Sequence, residues 1–279
     1  MSKAHAAFRG RYGRVFLFHL DRELVVHAHR EGHLLFHLDG DPAEMVVDGC
    51  PVPLVRGGGV AINPWEPHFF RPAVEAGETA VLVLYIDPIW FLQTNGRMLT
   101  SLRYGRAEIE VDSYLRSRKL ELVQGMLSPH ADVEGIEDAF LGLAAGSFEQ
   151  SWQWVSAQGN NVFQQSRGID FRIRKSLRIM AEMDFSEASL VGVSDMVGLS
   201  RAHYFRMFRD QIGVTPNVYM NALRMEKAID RLLTTTDTVA EIGFDLGFSS
   251  QASFTRFFTT NGVLAPSDYR RSVADSSLH

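Results

Sequence analysis

Over roughly the first 110 residues, apolar positions fall in short runs broken by turn signals. Arg14–Leu20, Leu24–Ala28, Leu34–Leu38, Glu44–Val47 and Ala80–Ile86 are extended in character, and Asp39-Gly40, Asp48-Gly49 and Gly57-Gly58-Gly59 lie between such runs. Strands this short and this often interrupted predict an antiparallel barrel or sandwich. From about Ser113 the period becomes helical. Tyr114, Leu115, Leu120, Val123 and Leu127 share one pattern, and after Ser128-Pro129 a second runs through Ile136, Phe140, Leu143, Phe148, Trp152 and Val155. These predict two helices packed as a hairpin, whose Phe148, Trp152 and Val155 stripe suits either packing within the chain or a partner helix. Ser156 to Gly168 is rich in Gln and Asn and poor in apolar anchors, which marks a linker. Everything after Asp170 reads as helix. The expected fold class is α+β multidomain: a β-barrel over 1–112, a helical hairpin over 113–155, a linker over 156–170 and an all-α domain over 171–271.

Within the last hundred residues the pattern repeats at a spacing of about 50, the scale of a duplicated supersecondary unit. Ser200, Ala202, Tyr204, Arg206, Phe208, Pro216 and Tyr219 recur as Ser250, Ala252, Phe254, Arg256, Phe258, Pro266 and Tyr269. Each copy opens with an apolar helix face, Val193 and Val197 or Ile242 and Leu246, followed by Gly198-Leu199-Ser200 or Gly247-Phe248-Ser249. Glycine permits the left-handed backbone that ends one helix, and the serine after it is placed to cap the next. Ser194 and Gly243 are small where the two helices would cross, and Thr238 with Glu241 forms a capping box. Gly192 is expected mid-helix, where it would cost up to about 1 kcal/mol relative to alanine.

In each second helix the aromatic pairs Tyr204 and Phe208, and Phe254 and Phe258, share one side and must face the core. The opposite side then carries Arg201, Ala202, Phe205, Arg206 and Arg209 in the first copy, and Gln251, Ala252, Thr255, Arg256 and Thr259 in the second. Arginine can grip a guanine edge with two donors and glutamine an adenine edge, so these types suit major-groove readout. One arginine on one helix would be an ordinary solvated position. Two at matching repeat positions behind two glycine turns point to double-stranded DNA.

Residues from about Phe171 to Arg271 resemble the DNA-binding domain of the AraC/XylS family of transcription regulators. The hallmark segment is Ile242-Gly-Phe-Asp-Leu-Gly247-Phe248-Ser249-Ser-Gln-Ala-Ser-Phe254-Thr-Arg256-Phe-Phe258, closing on Pro266-Ser-Asp-Tyr269-Arg270. The resemblance implies seven helices, two helix-turn-helix motifs and a long connecting helix through Tyr219 to Ala228. It implies base contacts from Ala202, Phe205 and Arg206 and from Gln251, Ala252, Thr255 and Arg256. It also implies RNA polymerase as a partner, a homodimer with the 113–155 hairpin as its dimerisation element, and activation as the commoner mode. The chain departs from the pattern at Thr259, Thr260 and Asn261, where basic residues are usual, and at Gly262, one place before the expected glycine, at which Val263 stands.

Charge sharpens this picture. The formal net charge of −5 argues against a protein that coats nucleic acid indiscriminately, yet residues 168–271 hold 13 basic and 12 acidic side chains, so the acidic surplus lies elsewhere. No apolar run is long enough to span a membrane and no secretory signal opens the sequence, which points to the cytoplasm. The single cysteine, Cys50, sits among valines and reads as a buried small hydrophobe.

The first half carries His27-Ala-His29-Arg-Glu-Gly-His33, and later Asn63-Pro64-Trp65-Glu66-Pro67-His68. These resemble the two cupin motifs, with His33 in the place of a glutamate, and the barrel resembles the sensing domain of AraC-type regulators. The resemblance implies a small-molecule effector in the barrel and favours a pocket without essential metal. Imidazoles in this number nonetheless suit a divalent transition metal, so His27, His29, His33 and His68 are candidates for either role. His37, Trp65 and Phe70 are candidate pocket walls, while aromatics such as Trp90 near a barrel also serve the core. A rival from another class is a metal-dependent cupin enzyme tethered to a DNA-binding domain. Glu31 and Glu66 are the acid–base groups near the histidines, and no separate pair accompanies them, so no catalytic role is assigned.

Overall fold

A computed structural model of the chain describes residues 3–74, 77–94, 102–128, 130, 132–157, 170–186, 189–262 and 264–274, with the side chains of 153–157 and 272–274 left aside. Nine strands are described: β1 (Lys3–Gly10), β2 (Gly13–Leu20), β3 (Gly32–Gly40), β4 (Ala43–Val47), β5 (Cys50–Leu54), β6 (Gly58–Ile62), β7 (His68–Pro72), β8 (Thr79–Ile86) and β9 (Glu108–Glu110). They form a six-stranded antiparallel sheet in the order β1-β2-β8-β3-β6-β9 and a three-stranded sheet β5-β4-β7. Between the sheets lie Phe16, Phe18, Leu35, Met45, Val47, Phe70, Val81 and Val83, all buried. The strands β2, β3 and β8 bury their other face too, through Val15, Leu17, Leu34, Phe36, Leu82 and Leu84. That is why they read as near-continuous apolar runs rather than a clean alternation.

The outer face is covered by α1 (Pro88–Thr94) and by the hairpin of α2 (Ser113–Leu127) and α3 (Val133–Ala157). Tyr12, Trp90, Leu115, Leu122, Phe140, Leu143 and Phe148 make up this second core. Phe148 lies against Phe91, their ring centroids 5.6 Å apart, and the Trp152 Nε1–H donates to the Arg103 carbonyl at 2.8 Å. Two members of the expected stripe therefore pack within the chain, while the Val155 side chain lies outside those described. The expected linker at 156–170 also falls mostly outside the described residues.

The C-terminal part holds seven described helices: α4 (Phe171–Glu182), α5 (Leu190–Met196), α6 (Arg201–Ile212), α7 (Pro216–Thr234), α8 (Val239–Asp245), α9 (Gln251–Asn261) and α10 (Pro266–Ala274). Both turns end as the glycines require, with Gly198 at φ +70° and Gly247 at φ +83°. A Cβ on Gly243 would come within 2.9 Å of Phe254 Cβ, so α8 and α9 cross as closely as that glycine suggests. The capping box of Thr238 and Glu241 is formed. α7 begins at Pro216 behind the Thr215 cap, and its far end is fastened by Arg231, which pairs with Asp237 and Asp245 at 2.6 Å each.

Several local expectations are corrected. Leu24–Ala28 forms no strand: it meets β7 through the Leu24 N–H to the Phe70 carbonyl at 3.0 Å and the isolated bridge His27 to His68. Gly192 lies in the first turn of α5, where its N–H meets the Ser189 cap at 3.4 Å, so the mid-helix cost does not apply. Ser200 precedes α6 without a side-chain cap bond, and Ser250, not Ser249, caps α9. Cys50 is exposed, because it follows the Asp48-Gly49 turn at a strand start. No helix among the described residues is long and apolar enough to cross a membrane.

Candidate DNA-reading faces and the interdomain site

The two helices expected to face DNA are α6 and α9. Tyr204, Phe208, Phe254 and Phe258 are all at 0% exposure, which fixes the rotation of each helix about its axis. Arg201, Ala202, Arg206 and Arg209 consequently stand in solvent on α6, with Phe205 half-buried, and the Arg201 guanidinium lies 5.4 Å from the Phe205 ring. On α9 Gln251, Ala252, Arg256 and Thr260 are exposed, with Thr255 and Thr259 half-buried. Thr259 and Thr260 turn their hydroxyls back to the carbonyls of Thr255 and Arg256, at 2.7 and 2.5 Å. A shallow groove along this face is walled on one side by Arg22, from the segment after β2. That contribution from the barrel was not foreseen.

The barrel presses its histidine-bearing edge against the C-terminal domain. Arg14, buried on β2, donates from Nη1 to the Tyr269 hydroxyl of α10 at 2.8 Å, pairs through Nη2 with Glu31, and lies 4.6 Å from the Tyr85 ring centroid. Burial opposes the charge on Arg14, but Glu31, Tyr269 and Tyr85 more than offset it, so its pKa stands above the ordinary value. Glu31 is likewise held ionised against burial, chiefly by Arg14. Trp65 stacks on Tyr219 of α7 with centroids 4.4 Å apart, and Arg30 reaches Glu226 at 3.6 Å. Tyr219 and Tyr269 are the matching tyrosines of the two repeat copies, and both face the barrel. Sequence reasoning missed Arg14, a lone cation inside an apolar strand, which is the signal that would have found it.

A partly enclosed cavity opens along this seam. Phe16, Phe18 and the histidines His27 and His29 form its barrel wall, and Val218 and Met225 of α7 face them. His33 and His68 stand behind this wall, buried at 4% and 1% exposure. Of the other expected wall residues, Trp65 serves the stack on Tyr219, Phe70 is inside the barrel core, and His37 is buried with Nε2 3.2 Å from the Asp41 carbonyl. None of these three lines the cavity.

The histidines converge. His27 and His68 are joined by reciprocal backbone bonds of 3.0 and 2.9 Å, and their ring centroids are 4.4 Å apart. His29 lies 5.0 Å from His68, and His33 Nδ1 is 3.3 Å from His68 Nε2. Burial lowers the pKa of each, that of His29 to about 4 despite an opposing pull from Glu31. These rings are therefore neutral near pH 7. Glu66 is occupied elsewhere, accepting from the Asn63 N–H at 2.8 Å.

Residues 193–272 match a family model described as a helix-turn-helix domain. Over 259 residues the chain is 23% identical to a probable transcriptional regulator, LumQ, of Photobacterium leiognathi, covering 90% of this chain and 94% of that one. It is 33% identical over 73 residues to the transcriptional regulator MtrA of Neisseria gonorrhoeae, covering 26% of this chain and 24% of MtrA. A helix-turn-helix regulator of Haemophilus influenzae is 27% identical over 105 residues, which is 38% of this chain and 35% of that protein. The chain thus spans about a third or less of these last two relatives. In fold it is similar to ToxT of Vibrio cholerae bound to an unsaturated fatty acid, with a TM-score of 0.58 at 14% identity over 94% of this chain and 95% of ToxT.

Proposed function

Given that the chain is similar to AraC-type transcription regulators, with a helix-turn-helix match at its C-terminal end, we propose that it is a sequence-specific DNA-binding regulator answering to a small organic effector. The observation that carries this reading is the duplicated motif, whose two helices present Arg206 and Arg256 to solvent at matching positions while their aromatic pairs are locked in the core. The effector site in this reading is the seam between barrel and α7, since a ligand there touches both halves and can bind two relative arrangements with different affinity. ToxT is described with an unsaturated fatty acid and with a naphthalenyl butenoic acid. The cavity has matching chemistry, apolar walls from Phe16, Phe18, Val218 and Met225 with polar groups at Arg14 and the histidines. Activation through RNA polymerase and dimerisation through the hairpin complete the proposal. Glu31 and Glu66 are each engaged in structural bonds, which supports sensing over turnover.

Mapping its binding sites across the genome, followed by footprinting at the strongest, tests the assignment. The expected result is discrete sites in which two adjacent major-groove segments are protected. A double variant, Arg206→Ala with Arg256→Ala, should lose those sites. Footprints unchanged in the double variant would remove α6 and α9 as the reading helices.

A further inference from the structure

We propose that Arg22, carried by the barrel, contacts DNA phosphate beside the second helix-turn-helix motif, so that the interface at α9 is built from both halves of the chain. The inference rests on the reading of α9 as a DNA-facing helix. By itself that motif is poorly equipped to approach a polyanion. From Thr238 to Gly262, Arg256 is the one basic side chain, against Glu241 and Asp245. The matching stretch of the first motif, Ser189 to Gly213, holds Arg201, Arg206 and Arg209 against Asp195 and Asp210. Hydroxyls that could serve a phosphate in place of charge are turned inward, since Thr259 and Thr260 donate to the carbonyls of Thr255 and Arg256 at 2.7 and 2.5 Å. Phosphate contacts supply much of the affinity and fix the register of a helix in the major groove, so this motif needs a cation from elsewhere.

Arg22 stands exposed just beyond the end of β2 and shares a groove with the outward face of α9, where Gln251, Thr255, Arg256, Thr259 and Thr260 make the facing wall. Among the described residues that groove is lined by two cations, Arg22 and Arg256, and by no carboxylate; Asp21 and Glu23, the chain neighbours of Arg22, do not line it. The phosphates of a major groove run beside the helix inserted in it, so a cation flanking α9 faces backbone rather than base edges. Its place is held from both sides. Upstream, β2 is fastened to α10 by Arg14 on Tyr269 and by Phe16, whose ring centroid lies 5.6 Å from that of Tyr269. Tyr269 in turn lies 5.6 Å from Phe258 of α9. Downstream, Val26 reaches the seam cavity together with Asn261 and Gly262, at the end of α9. Gln251, Ala252 and Arg256 nonetheless stay exposed, which suits a segment that flanks the DNA and not one that covers the helix. With five N–H donors in a fork, an arginine can grip a phosphate while also engaged within the chain.

The test uses the full chain and a duplex carrying its strongest footprinted site. Arg22→Gln keeps the reach of the side chain and removes its charge. The slope of log affinity against log salt should become shallower by about 0.9, so that the advantage of the wild type shrinks roughly 3- to 4-fold between about 50 and 200 mM salt. Preference at single mutated base pairs should stay that of the wild type, because Arg22 reads no base. Arg22→Lys, which keeps the charge, should keep the slope. Ethylating the duplex phosphates one at a time should inhibit the wild type at one phosphate beside the α9 half-site that Arg22→Gln ignores. Arg56→Gln removes another exposed barrel cation, near Lys119 of α2, and should leave the slope unchanged. A wild-type slope in Arg22→Gln overturns the inference. So does tighter binding, which would make the segment a lid over α9, and so does an equal flattening in Arg56→Gln, which would reduce the effect to overall charge. Arg206→Ala and Arg256→Ala separate this inference from the reading beneath it. If they weaken binding and Arg22→Gln does not, only the inference falls; if neither does, the assignment of α6 and α9 falls with it.

Discussion

At the scale of single residues, position and exposure separate the side chains that would read DNA under the proposed function from those that hold the fold. Arg206 and Arg256 are exposed on helices whose opposite faces are sealed, so shortening either leaves the fold intact. Arg206→Ala should cost about 1–3 kcal/mol at the cognate operator and relax base preference at one position, and Arg256→Ala should do the same at a second position. Competition binding against operators mutated one base pair at a time reads both effects, and unaltered preference in both variants would dismiss the assigned contacts. Tyr269 holds rather than reads. Its hydroxyl satisfies one donor of the buried Arg14, so Tyr269→Phe keeps the ring packing on Phe16 and Phe258 but strands a charged N–H. The expected loss is about 1–3 kcal/mol of stability in denaturant unfolding. A variant as stable as the wild type would show that the barrel and domain do not depend on this bond.

At the scale of elements, the two helix-turn-helix motifs repeat one another in sequence but differ in surroundings. Gly198 and Gly247 both take left-handed backbone, yet a Cβ on Gly198 meets nothing within 4 Å, whereas one on Gly247 would stand 2.2 Å from the Phe185 carbonyl oxygen. Gly198→Ala should therefore cost only the conformational penalty of about 1–2 kcal/mol. Gly247→Ala must also push backbone from backbone, and should lower the melting temperature far more. Equal losses in the two melting curves would contradict the contact between that turn and the segment after α4.

The same comparison shows how far sequence reaches. Strands β2, β3, β4 and β8 were legible as short apolar runs between turn signals, and the hairpin and both motifs through helical periodicity and glycines at obligate turns. The Leu24–Ala28 run was misread as a strand since its valines Val25 and Val26 stand exposed and its backbone meets β7 through the Leu24 N–H to the Phe70 carbonyl and the isolated bridge His27 to His68, not as a continuous ladder. Cys50 was misread because it stands at the open end of β5, just after the Asp48-Gly49 turn, where the buried Val47 and Val52 on the same face do not cover it. The histidine cluster was legible as residue types, but the backbone bridge that joins His27 to His68 carries no sequence signal. Arg14 and Tyr269 are 255 positions apart, so the seam between the domains has no local signature at all.

At the scale of the whole molecule, the basic side chains are divided unevenly between the motifs, with Arg201, Arg206 and Arg209 exposed on α6 against Arg256 on α9. Each phosphate neutralised contributes roughly −0.9 to the slope of log affinity against log salt, so Arg209→Ala should flatten that slope by about one. Thr259→Ala should hardly change it, because that hydroxyl is already bonded to the Thr255 carbonyl. Identical slopes for wild type and Arg209→Ala would place Arg209 off the phosphates.

The 19 residues of α7 join the two motifs with a proline start, a threonine cap and a far end pinned by Arg231 between two aspartates. At 1.5 Å per residue it is about 28 Å long, close to the roughly 34 Å that separates successive major-groove segments on one side of a duplex. If α6 and α9 read DNA as proposed, α7 works as a ruler. A single inserted base pair between the two half-sites turns one past the other by about 34–36°, a rotation this strut cannot follow without bending the DNA or losing a contact. On the proposed reading the number of letters between the half-sites is thus part of the message, and an operator that keeps every contacted base but gains one in the gap would be a different word.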